Sequence, residues 1–210
     1  SPFSYTVTTS GGACTPQVSL SGTITVTGAS TISLSSAVGT DGQTVCVNTA
    51  ITNITYAIGG SATSASITAG ALPAGVTGSF AAGVFTISGT PTTSVGSPFS
   101  YTVTTSGGCA PNVSLSGTIT VTPAPTLTLT SAVGTNAQTV CINTAITNIT
   151  YAIGGSATSA SITAGALPAG VTGSFAAGVF TITGTPTTAV GSPFSYTVTT
   201  SGGCTPAASL

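Results

Sequence analysis

The 210-residue chain contains no Lys, no Arg and no His, and Asp41 is its only acidic side chain. General acid–base catalysis needs a positioned group that titrates near neutral pH, and a single carboxylate is too small an inventory for it. A Ser or Thr nucleophile would lack a base to activate it. Calcium sites gather several carboxylates, and zinc sites combine Cys with His or cluster four Cys closely, so neither metal is expected. No cofactor is expected either. Nucleic-acid binding depends on cations that neutralise phosphates, and that class is excluded. The missing lysines also rule out a lysine–asparagine isopeptide crosslink. The composition therefore argues for a protein that is not an enzyme.

Long hydrophobic runs are absent as well. Apolar residues are interrupted by Ser, Thr or Gly at nearly every second position, so no segment is expected to insert in a membrane. The opening residues Ser1-Pro2-Phe3-Ser4-Tyr5 have neither the basic region nor the apolar core of a signal peptide, which places any export signal outside this sequence. Disorder normally accompanies low hydrophobicity with high net charge, and this chain has the opposite balance.

What the chain does have is repetition. Ser1 to Thr9 returns at Ser97 to Thr105 and again at Ser192 to Thr200, a period of about 95 residues. Thr44 to Thr93 reappears as Thr139 to Thr188, changed only from Val47 to Ile142 and from Ser88 to Thr183. Such a period is too long for one solenoid repeat and suits one small β-sandwich of roughly 100 residues. Within a repeat the periodicity is two, as in Thr118-Ile119-Thr120-Val121-Thr122, Thr126-Leu127-Thr128-Leu129-Thr130 and Phe99-Ser100-Tyr101-Thr102-Val103. One face is apolar and the other hydroxylated, the pattern of half-buried strands. Turn formers separate them: Gly59-Gly60, Leu72-Pro73-Ala74-Gly75, Ala82-Gly83, Ser88-Gly89-Thr90-Pro91 and Ser106-Gly107-Gly108. Gly75 is expected to take a positive φ in a tight turn.

The expected fold class is all-β, with tandem immunoglobulin-like β-sandwich domains joined by short linkers. Pro123-Ala124-Pro125, aligned with Gly28-Ala29-Ser30, marks the clearest boundary. Residues 1–28 read as the C-terminal strands of a preceding repeat, 29–123 as a complete repeat, and 124–210 as a repeat lacking its last strand. The missing piece corresponds to Ser116 to Thr122.

Five cysteines, Cys14, Cys46, Cys109, Cys141 and Cys204, alternate at spacings of about 32 and about 63 residues. Two regular pairings are open. Bonding Cys46 to Cys109 and Cys141 to Cys204 keeps each bridge inside one repeat, with Cys14 paired outside the sequence; this is the preferred register. Bonding Cys14 to Cys46 and Cys109 to Cys141 would staple neighbouring repeats across their linkers. A bridge closing about 63 residues contributes roughly 4 kcal/mol in the chain-entropy model. Either register implies an oxidising compartment.

Leu72-Pro73-Ala74-Gly75-Val76, Phe85-Thr86-Ile87-Ser88-Gly89-Thr90-Pro91 and Phe99-Ser100-Tyr101-Thr102-Val103-Thr104 occur in that order. The order resembles the immunoglobulin-like and polycystic-kidney-disease-like tandem repeats of giant secreted bacterial adhesins of the bacteroidetes group. Thr44-Val45-Cys46, Ile51-Thr52-Asn53-Ile54-Thr55-Tyr56 and Gly107-Gly108-Cys109 extend the likeness over essentially the whole chain. The resemblance implies an extracellular stalk or fibre that spaces or presents other domains. Its partners would be further copies of the same repeat, and the chain departs from calcium-binding relatives by lacking carboxylates.

Sharper roles stand beside this one. Thr126, Thr128 and Thr130 form a short array of the kind found on ice-binding faces. Tyr56, Tyr151, Phe80 and Phe175 are candidates for stacking on sugar rings. Asn53, Asn112 and Asn148 match the N-glycosylation acceptor pattern. A nearly uncharged surface also favours self-association into a filament, with a strand such as Gly22-Thr23-Ile24-Thr25-Val26 from another chain completing the open edge. Structural work falls to Pro73, Gly75, Gly89 and Pro91, to their counterparts Pro168, Gly170, Gly184 and Pro186, and to the linker prolines.

Overall fold

A computed structural model describes residues 2–13 and 16–210. Cys14 lies outside the described residues. Sixteen strands form among the described residues, with one 3-10 turn at Thr135–Ala137. Strands β1 (Pro2–Thr8) and β2 (Ser19–Thr25) make an antiparallel hairpin that stands apart as a two-stranded sheet.

Residues 31–122 build the first sandwich. Its strands are β3 (Thr31–Leu34), β4 (Gly42–Cys46), β5 (Ile54–Gly59), β6 (Ser64–Gly70), β7 (Val76–Ala81), β8 (Val84–Gly89), β9 (Phe99–Ser106) and β10 (Ser114–Thr122). One sheet has the order β3-β5-β8-β7 and the other β4-β10-β9-β6. All pairings are antiparallel except β10 with β4, which is parallel. In immunoglobulin lettering these are sheets A-B-E-D and A′-G-F-C, with the first strand split between the two sheets. The alternation seen in the sequence becomes burial: Ile54, Tyr56 and Ile58 point inward from β5, Tyr101 and Val103 from β9, and Ile119 and Val121 from β10.

The outer face is held by its hydroxyls. Thr68 bonds Thr104 at 2.7 Å, and Thr104 bonds Ser114 at 2.8 Å, a ladder across three strands; Thr102 meets Ser116 at 2.9 Å. Cross-strand hydroxyl pairs of this kind stabilise a sheet without charge, which is how a chain with no Lys, Arg or His keeps a polar surface.

Residues 126–201 repeat this plan in part. Strands β11 (Thr126–Leu129), β12 (Ile149–Gly154), β13 (Ser159–Gly165), β14 (Val171–Ala176), β15 (Val179–Gly184) and β16 (Tyr196–Ser201) give one full sheet, β11-β12-β15-β14. The second sheet is β13-β16 alone. Ser209 bridges Thr199, and Leu210 exchanges backbone hydrogen bonds with Val198 at 2.9 and 3.0 Å, where the start of β10 would lie in the first sandwich. Thr139-Val140-Cys141, identical in sequence to Thr44-Val45-Cys46 in β4, forms no strand because no neighbour follows the position of β10.

The turns follow their residues. Gly75 and its counterpart Gly170 both have φ of 87°. A side chain at Gly75 would drive into the Thr90 carbonyl, so the Leu-Pro-Ala-Gly turn requires glycine for both backbone angle and space.

Candidate functional site

Two places in the molecule carry more than packing: the junction between the sandwiches and the open flank of the second one. At the junction the parallel β4–β10 ladder sets Thr122 in register with Cys46. Both strands therefore leave the sandwich at the same end, where Pro123-Ala124-Pro125 leads directly into β11. Cys46 is bonded there to Cys204, 158 residues away, with a Cα–Cα distance of 5.7 Å. Thr122 Oγ1 donates to the Val45 carbonyl at 3.0 Å and lies 3.0 Å from Cys204 Sγ. The Cys204 amide donates to Ser156 Oγ at 2.9 Å, which seats the loop after β16 against the turn between β12 and β13.

This bridge corrects the expected pairing of Cys46 with Cys109 and of Cys141 with Cys204. Cys109 lies in the loop before Ser114, while Cys46 pairs with Thr122 at the far end of the same strand β10. At about 3.3 Å per residue the two ends of β10 are roughly 26 Å apart. A disulfide needs Cα atoms within about 7 Å. The other register, Cys14 to Cys46 with Cys109 to Cys141, is not formed either: Cys46 is taken, and Cys109 and Cys141 are free and exposed. The overlooked signal was topological. Spacing carries no sign that β4 runs parallel to β10, which sends Cys46 toward the following repeat.

Cys109 sits in a copy of the same seat. Its amide donates to Ser61 Oγ at 2.8 Å, and its Sγ lies 2.8 Å from Thr27 Oγ1. Thr27, Ser61 and Cys109 correspond in the repeat to Thr122, Ser156 and Cys204. Hydrogen bonds from Thr27 and Ser61 hold the Cys109 thiol below the usual cysteine range.

On the open flank a cleft of about 750 Å³ runs along the second sandwich, walled by Leu129, Val140, Ile142, Leu167, Tyr196 and Leu210. Tyr101 is 1% exposed beneath β10, whereas its counterpart Tyr196 is only half-buried. Burial pushes the hydroxyls of Tyr56, Tyr101 and Tyr196 above the usual tyrosine range.

The remaining candidates are dispersed. Tyr56 and Tyr151 are core residues, 0% and 2% exposed, and Phe80 and Phe175 pack against the two cores, so this set forms no aromatic cleft for a sugar. Thr126, Thr128 and Thr130 are exposed along β11 and the residue after it. Asn53, Asn112 and Asn148 are exposed. No group of three or more His, Cys, Asp or Glu residues is placed to hold a metal ion among the described residues. No helix in those residues is long and apolar enough to cross a membrane.

No protein-family model matches the chain, and no curated protein is similar to it. Among solved structures it is similar to the protocadherin gamma B7 extracellular cadherin domains 1–4, with 12% identity over 100% of this chain and 56% of that one at a TM-score of 0.49. The protocadherin gamma B4 extracellular domain gives 14% identity over 100% of this chain and 36% of that one at 0.47. The titin tandem A164–A165 gives 11% over 89% and 96% at 0.38. With these TM-scores below 0.5, the fold rests on the strand order of the chain itself. That order defines a protein of tandem immunoglobulin-like β-sandwiches.

Proposed function

We propose that the chain is a structural stretch of a large extracellular bacterial surface protein, a stalk or fibre that spaces or presents other domains. The division into 1–28, 29–123 and 124–210 as successive repeats belongs to this proposal. The observation that carries it is the Cys46–Cys204 bridge, which fastens one sandwich to the next beside a three-residue Pro-Ala-Pro linker. A bond across a junction restrains the angle between neighbours and carries tension past the folded cores. The disulfide supports an oxidising compartment, and the order of the Leu-Pro-Ala-Gly, Ser-Gly-Thr-Pro and Phe-Ser-Tyr segments supports the adhesin type of repeat. The low charge and the mutually bonded hydroxyls fit a surface that does no chemistry.

Single-molecule pulling from the two ends tests the mechanical role. With the bridge intact, only the roughly 50 residues outside the loop it closes extend, to about 18 nm, while the reduced chain extends to about 70 nm. An oxidised chain that extends as far as the reduced one would end the proposal.

A further inference from the structure

The two sulfurs of the Cys46–Cys204 bridge sit in different surroundings. Strand β4 is the edge of its sheet, with β10 on one side only. Along it Val45 packs against the core, while Thr44 and Cys46 share the outer face, Thr44 exposed and Cys46 half-buried. Cys204 is 8% exposed, and its amide is held by Ser156 Oγ. Thr122 reaches the two sulfurs unequally: its Oγ1 lies 3.0 Å from Cys204 Sγ and 3.7 Å from Cys46 Sγ. The same hydroxyl donates to the neutral Val45 carbonyl at 3.0 Å, and a rotation about one bond redirects it to sulfur.

We propose that this bridge is a clasp that small thiols open, with attack falling on Cys46 Sγ and Cys204 leaving as the thiolate. The inference deepens the stalk reading and rests on it, since it assigns chemical control to the same junction. Thiol–disulfide exchange is governed by access to the attacked sulfur and by the stability of the departing one. Access selects Cys46, on the outer face of an edge strand, over the buried Cys204. Departure selects Cys204, because the Thr122 hydroxyl is the nearer to it and a hydrogen bond to a thiolate is charge-assisted. The chain has no Lys, Arg or His to stabilise either thiolate, so this hydroxyl sets the difference between them.

In the opening step the small thiolate forms a bond to Cys46 Sγ, the Cys46–Cys204 bond breaks, and its electron pair goes to Cys204 Sγ. Cys46 then carries the small thiol as a mixed disulfide. Cys204, still held at its amide by Ser156, returns to Cys46 Sγ and expels the small thiol when little of it is present. When it is abundant, a second small thiolate attacks the small-thiol sulfur of the mixed disulfide and leaves Cys46 as the thiolate. Two small thiols are thereby oxidised to one small disulfide, and their two protons pass to Cys46 and Cys204. The open junction keeps Pro123-Ala124-Pro125 as its covalent link. Ambient thiol therefore sets how firmly one sandwich is fastened to the next.

The test uses oxidised chain whose titratable thiols are first blocked with iodoacetamide. Reduced glutathione is added, the reaction is stopped early with N-ethylmaleimide, and the chain is mapped after chymotrypsin; urea-unfolded chain, in which neither sulfur has a fixed neighbour, is the reference for even attack. In the folded chain glutathione on Cys46 with N-ethylmaleimide on Cys204 should exceed the converse about tenfold. Thr122→Val should slow opening about fivefold, the worth of one hydrogen bond, and Thr122→Ser, which keeps the hydroxyl, should open like the parent. Glutathione mainly on Cys204, a Thr122→Val chain that opens as fast as the parent, or a Thr122→Ser chain as slow as Thr122→Val would each overturn the inference. Glutathione spread evenly, from a bridge that mapping before treatment places at Cys46–Cys204, would sink the clasp and leave the stalk reading standing. Absence of that bridge before treatment would sink both.

Discussion

The Tyr56 and Tyr101 hydroxyls meet at 3.1 Å across the interior of the first sandwich, one from each sheet, and both side chains are shut off from solvent. Tyr56→Phe leaves Tyr101 Oη buried without that partner, and a loss of about 1–3 kcal/mol is expected in urea unfolding. Tyr56→Phe combined with Tyr101→Phe removes both polar atoms and should recover most of that loss. The related pair Tyr151 and Tyr196, at 3.2 Å, borders the open cleft, where water reaches Tyr196; Tyr151→Phe should be milder than Tyr56→Phe.

Glycines opposite tyrosines give a second contrast. A methyl group at Gly117 would run into Tyr101 Oη and the Asp41 carbonyl, both fixed in the packed sandwich. Gly117→Ala should destabilise the chain by about 1–3 kcal/mol. The same substitution at Gly22 meets only Tyr5, which is exposed and free to swing away. Thermal unfolding of Gly22→Ala should match that of the parent.

Strong alkali should destabilise the fold. Folding raises the hydroxyl ionisation of Tyr56, Tyr101 and Tyr196 through burial, so each keeps its proton in the folded chain at a pH where the unfolded chain has lost it. Below about pH 10 both states hold these protons and the tyrosines contribute no pH dependence; above it the unfolded state binds fewer protons and stability falls. The chain has no Lys, Arg or His to add transitions at neutral pH. The lowered Cys109 thiol adds a small rise as the pH climbs toward the ordinary thiol range, and urea midpoints should drop beyond pH 10. A rise in that alkaline range would mean that the tyrosines are not buried as described.

Much of this was legible in the residues. Alternation in Phe99 to Val103 and in Thr118 to Thr122 placed the strands and their inward faces. The positive φ of Gly75 followed from its turn. The disulfide partner was not legible, because the spacing of Cys46, Cys109, Cys141 and Cys204 fits several registers and only the parallel course of β4 beside β10 decides among them. Thr139-Val140-Cys141 shows the same limit: its sequence matches β4, yet the strand depends on a neighbour that no local pattern reveals. Tyr56 and Tyr151, read as candidate sugar platforms, lie instead in the cores, since alternation alone does not tell a core aromatic from an exposed one.

The central claim is that the cysteines fasten one sandwich to the next. Mass-spectrometric mapping of the unreduced chain, cut with chymotrypsin because trypsin has no site in it, tests this most directly. The account predicts a peptide pair that joins Cys46 to Cys204. A pair that joins Cys46 to Cys109 would confine each bridge to one sandwich and contradict it.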